Sequence, residues 1–91
     1  MSATGSATVD FGTGNTDTLL AITGQSAILS GSMVDAWLVP AVTANNGIDE
    51  HWVEDLEVMA GNVIAGTGFT IYAKCRTGKA VGQFAVQWAW L

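Results

Sequence analysis

The side chains with the most chemical capacity gather around the single histidine. His51 stands in the run Asp49-Glu50-His51, with Glu54 and Asp55 close behind. A carboxylate can orient an imidazole, and such a group can bind a metal or act as a general base. The number of ligands falls short. On a strand Asp49 and His51 share a face, which supplies two ligands where zinc takes three or four. The cluster therefore reads as a surface histidine beside acidic residues at a loop edge. Cys75 is the one cysteine, so no intrachain disulfide can form. It alternates with Phe69, Ile71 and Ala73, while its cationic neighbours Lys74 and Arg76 fall on the opposite face. A nucleophilic thiol needs an electropositive, partly open site, so this one reads as a small buried hydrophobe. The glycine-rich run GNVIAGTG at 61–68 has neither the Lys-Ser/Thr ending nor the βαβ context of a phosphate loop. No Gly-x-Ser-x-Gly elbow occurs, and one histidine supports no convincing triad. The reading is a non-enzyme without metal or cofactor.

The tryptophans carry a different chemistry. An exposed indole flanked by Asn, Asp and Gln can stack on a sugar ring. Trp37 and Trp52 lie near the loop 41–49, which supplies Asn45, Asn46 and Asp49, with His51 just beyond it. These six residues are the candidates for glycan or partner contact. A place in the core or at a subunit interface is the stronger reading for all four tryptophans, and most clearly so for Trp88 and Trp90.

The elements that must hold these residues are strands. From Phe84 onward large apolar side chains occupy every second position, namely Phe84, Val86, Trp88 and Trp90, with Gln83, Ala85, Gln87 and Ala89 between them. Period 2 is the pattern of a half-buried strand. A strand this apolar needs cover from a second sheet or from another subunit, so Phe84, Val86, Trp88, Trp90 and Leu91 are the assembly candidates. Residues 69–76 alternate as cleanly, and the turn Thr77-Gly78-Lys79 predicts a hairpin joining the two. Shorter strands are expected at 7–11, 18–23 and 33–39, the last stopped by Pro40. Residues 50–60 are ambiguous. A helix capped by Asp49 would gather Trp52, Leu56 and Met59, whereas a strand would set Glu54 among apolar neighbours. The strands on either side favour the strand reading. Six to seven short strands with glycine-rich turns indicate an all-β, small antiparallel β-sandwich. It would form a single domain over 7–91, preceded by a loose arm at 1–6.

Composition points to association. A domain of 91 residues buries a modest share of its surface. Hydrophobic residues make up 49% and charged residues 12%, about half the usual charged share, so Thr, Ser, Gly, Asn and Ala must build much of the surface. Without disulfide or metal, stability by oligomerisation is expected. The net charge of −5, with the three cations confined to 74–79, argues against nucleic-acid binding. No apolar run approaches membrane-spanning length. The first ten residues lack a cationic n-region and an apolar h-region, so synthesis in a cytoplasm is expected.

Four phrases resemble small virion proteins of tailed bacteriophages: VDFG at 9–12, DEH at 49–51, AGNVIAGTGFTIYAKC at 60–75 and GQFAVQWAW at 82–90. The GTGF step into a core strand and the Trp-rich closing strand are also similar to the H-type lectin sandwich. The resemblance implies a six-stranded H-type-lectin-like sandwich assembling as a homotrimer. It implies a structural role in the virion, at the tail or baseplate or as capsid decoration, with other virion proteins as partners. A lectin-like module for host glycans is the alternative it carries.

Overall fold

The computed structural model describes residues 2–44 and 46–91. Asn45, one of the candidate contacts, lies outside the described residues. Among the described residues, six strands and one short helix follow in the order β1 (Ala3–Asp10), β2 (Asp17–Ile22), β3 (Val34–Leu38), α1 (Ile48–Val53), β4 (Leu56–Ile64), β5 (Gly68–Cys75) and β6 (Gln83–Trp90). They form two antiparallel three-stranded sheets, β1-β6-β3 and β2-β5-β4, packed face to face. The chain is all-β apart from the helix, as the alternation indicated.

The apolar positions of the two central strands supply the core. Phe69, Ile71, Ala73 and Cys75 of β5 face Phe84, Val86, Trp88 and Trp90 of β6, joined by Val9, Phe11, Ile28, Ala36 and Ala80. Phe69 meets Trp88 edge-on at 5.5 Å between ring centroids, and Phe11 meets Phe84 in the same way at 5.7 Å. Such edge-to-face pairs add to the stabilisation from burial. The Trp90 indole N–H donates to Gln25 Oε1 at 2.9 Å, so its polar end is satisfied inside the molecule.

The expected hairpin of β5 and β6 does not form. The two strands lie in opposite sheets, and residues 76–82 carry the chain from one to the other. Side by side, two strands this apolar would leave both inner faces needing cover from elsewhere. Stacked, each covers the other. The connector is held where Ala80 exchanges backbone hydrogen bonds with Asn15 of the β1–β2 loop, at 3.0 and 3.1 Å.

Three further expectations shift. β1 begins at Ala3, so residues 3–6 of the expected loose arm pair with 87–90 of β6. Residues 50–60 divide instead of forming one element. The helix ends at Val53, Glu54 turns to extended backbone, and β4 starts at Leu56. The residue at the helix N-cap is Gly47 and not Asp49, and Asp49 and Glu50 in the first turn suit the helix dipole. β4 also runs through Ile64, into what reads as a glycine-rich connector, by way of an irregularity between Gly61 and Ile64 with Asn62 at φ 53°.

Gly68, which opens β5, is fixed by close approach. A Cβ there would lie 2.8 Å from the Ile22 carbonyl carbon on the neighbouring strand.

Candidate functional site

The acidic-histidine cluster is not a surface site. His51 is 2% exposed. Its Nδ1 lies 2.8 Å from the Gly47 carbonyl oxygen, and its Nε2 lies 2.8 Å from the Ala85 amide. A carbonyl can only accept and an amide N–H can only donate. The imidazole is therefore the neutral tautomer with its proton on Nδ1. Neither nitrogen is free for a ligand or a proton-transfer step. The ring also packs edge-on against Phe84 at 5.0 Å.

The position explains the burial. The Ala85 carbonyl accepts from the Val39 N–H at 2.9 Å. In a regular antiparallel pair the Val39 carbonyl would take the Ala85 N–H in return, but Pro40 follows and the chain leaves the sheet. His51 Nε2 occupies that accepting position. The neighbouring loop is anchored on the same strand. Asn46 Nδ2 donates to the carbonyls of Val81 and Gln83 at 3.0 and 2.8 Å, and the Thr43 hydroxyl donates to the Gln83 carbonyl at 2.7 Å. His51 and Asn46, expected as contacts for a glycan or partner, instead bond to the backbone of residues 81–85 at the start of β6.

The carboxylates near His51 do not converge on it. Among the described residues no three His, Cys, Asp or Glu side chains come together as a metal site. Asp55 pairs with Arg76 at 3.1 Å, and Glu57 takes both Arg76 at 3.0 Å and Lys74 at 3.2 Å. The hydrogen bond from Arg76, then that from Lys74, holds the Glu57 carboxyl below the ordinary glutamate value, while the hydrogen bonds to Glu57 and then Asp55 raise Arg76. Cys75 is buried, with Sγ 3.5 Å from Thr77 Oγ1 and 3.8 Å from Glu54 Oε2.

The residues chosen as assembly candidates divide. Phe84, Val86, Trp88 and Trp90 are covered by their own chain, so they are core and not interface. Leu91 alone of that set is exposed. Trp52 on α1 is 83% exposed, and Asp49 lies on the same helix in solvent. Trp37 is 40% exposed on the outer face of the first sheet, in a row with Gln87 and Ser6. A groove of about 450 Å³ runs beside this row, lined by Ser6, Thr8, Gln83, Gln87, Val42 and Thr43 among others.

The outer face of the second sheet carries a feature that sequence reasoning missed. Strand register sets Leu19 opposite Tyr72 and Tyr72 opposite Met59, so three large side chains form one row across β2, β5 and β4. Their exposures are 64%, 38% and 57%. The adjacent row is Asp17, Lys74 and Glu57. An apolar stripe thus lies in solvent beside a charged one. The available signal was Tyr72 on the outward face of β5. Its row partners depend on register, which alternation within one strand does not give. Comparison with models of known families, with curated proteins and with solved structures finds no match for this chain.

Proposed function

We propose that this chain is a non-enzymatic structural subunit of a tailed-bacteriophage virion. It works by protein–protein assembly, with the tail or baseplate as its place and the host cytoplasm as its site of synthesis. The observation that carries the assembly role is the exposed row Leu19–Tyr72–Met59. The sandwich closes its own core, so these side chains are not needed to complete the fold. Large apolar groups aligned across three strands and left in water favour association. The virion setting is supported by the phrases AGNVIAGTGFTIYAKC and GQFAVQWAW, and a three-fold assembly follows from the same resemblance. Capsid decoration uses the same kind of surface in a different place.

A second reading is favoured by one observation. Trp37 stands outward beside Gln87 and Ser6, an indole next to neutral hydrogen-bonding groups. That combination suits a saccharide, and a host-surface glycan is the ligand it would take.

Cryo-electron microscopy of whole particles tests the main proposal. Density for this sandwich at the tail or baseplate is expected. Its presence on the capsid shell would select the decoration role, and purified particles lacking the chain would overturn the structural role. A glycan array tests the second reading, with binding expected to be lost in Trp37→Ala.

A further inference from the structure

We propose that the outer edge of β1 pairs with the same edge of a second copy of this chain. The contact would be antiparallel, with a two-fold axis at Ser6. This inference extends the assembly role proposed above by naming one of its contacts.

The backbone of β1 has one satisfied side and one open side. The Phe11 N–H donates to the Gly82 carbonyl, in the same register that pairs Val9 with Phe84 and Gly5 with Trp88. The odd-numbered residues therefore bond to β6, and the N–H and C=O groups of Thr4, Ser6 and Thr8 point away from it. Among the described residues β1 has no second neighbouring strand, and Thr4, Ser6 and Thr8 are exposed. Open donors and acceptors at strand spacing specify an extended backbone as partner.

The other sheet edges carry obstacles. At β3 the Ala36 N–H is taken by its neighbour Asp35, through Oδ1 at 2.8 Å, and Pro40 closes the strand. At β4 the irregularity between Gly61 and Ile64 breaks the line. β2 is shorter than β1 and opens on the charged Asp17. From Ala3 to Val9 the β1 edge has none of the usual protections, neither proline nor charge nor bulge, and its one charge, Asp10, stands at the very end.

A neutral strand with a central residue of its own favours a second copy as the occupant. The chain carries −5, so copies repel unless their contact is neutral. Residues 3–9 hold no charged side chain, and Ser6 is their midpoint. Antiparallel pairing about Ser6 sets Thr4 opposite Thr8 and keeps Asp10 opposite Ser2, away from the other Asp10. Every open donor between Thr4 and Thr8 then finds an acceptor. The result is an isologous contact that continues the β1-β6-β3 sheet into the second copy.

A charge exchange on the full chain tests the contact, read by sedimentation equilibrium and native mass spectrometry. The native chain is expected to form an even-numbered assembly, a dimer or a pair of trimers. Ser6→Glu and Ser6→Lys each set like charges opposite one another and should weaken that assembly by about tenfold or more. An equal mixture of the two should restore it, because Glu then faces Lys. A native chain that stays monomeric overturns the proposal. So does an assembly, a trimer included, that neither variant disturbs, and so does a mixture that associates no better than either variant alone. A trimer present in particles but indifferent to Ser6 would overturn this contact and leave the structural-subunit reading standing.

Discussion

Trp88 packs its six-membered ring over the backbone of Gly5, the residue directly opposite it on β1. A Cβ built on Gly5 would stand 2.6 Å from Trp88 Cε2, inside contact distance. One of the two indoles of β6 thus has room because its cross-strand partner has no side chain. Alanine ordinarily suits a strand better than glycine, but here the packing reverses the preference. Gly5→Ala is expected to destabilise the fold by about 1–3 kcal/mol, as overpacking does. Trp88→Ala alone should cost about 3–5 kcal/mol. The two effects should not add, because the alanine at position 5 meets nothing once the indole is gone. A double-mutant cycle by urea denaturation checks this, and simple additivity would show that the ring does not constrain position 5.

His51 offers a different kind of test, because its role is hydrogen bonding inside a strand ladder. His51→Phe keeps an aromatic ring beside Phe84 and removes both nitrogens. The Ala85 N–H then loses its acceptor, a loss expected to cost about 1–3 kcal/mol. Hydrogen exchange at the Ala85 amide should accelerate by more than at Val86, whose pairing with β1 is untouched. Equal protection of Ala85 in both proteins would mean that another group accepts that proton.

The contrast between these two sites shows what the sequence could and could not reveal. The alternation in β5 and β6 was legible because each strand is half-buried and the period carries through to the core. The partner of each strand was not. A turn such as Thr77-Gly78-Lys79 fits a hairpin as well as a crossing between sheets, and the choice rests on covering two apolar faces at once. His51 was misread for a related reason. Acidic neighbours in sequence suggested a solvated cluster, whereas in space the ring turns towards Ala85, 34 positions away along the chain. Trp52, from the same short helix, read more strongly as core or interface than as an exposed contact, yet it stands almost wholly in solvent.

The network around Arg76 sets a pH dependence with a definite sign. The Glu57 carboxyl is held below its ordinary value of 4.5, first by the Arg76 hydrogen bond and then by Lys74. A lowered carboxyl stabilises the fold when ionised. Its contribution is complete above that ordinary value and fades as the pH drops through it towards the lowered folded value. Arg76 keeps its charge throughout this range, so it is the protonation of Glu57 that breaks their pairing in acid. Glu57→Gln should lower the urea midpoint slightly at about pH 7 and make little difference at about pH 3. A gap between the two proteins that widens in acid would contradict the assignment.

The row on the second sheet separates stability from association more sharply than any core position can. Leu19 and Met59 flank Tyr72 and are more than half exposed. Replacing either with serine removes little that the fold has buried, so Leu19→Ser and Met59→Ser should each change stability by no more than about 0.5 kcal/mol. Ile71 lies on the same strand as Tyr72 with its side chain turned inward, and Ile71→Ala should cost about 2–5 kcal/mol. If the outward row is a contact surface, the order reverses when incorporation into particles is measured instead. The serine variants should be well folded and poorly incorporated, since they remove apolar area that only a partner would bury. Ile71→Ala should be incorporated in proportion to its folded fraction. Serine variants incorporated as fully as the native chain would assign the contact to a surface other than this row.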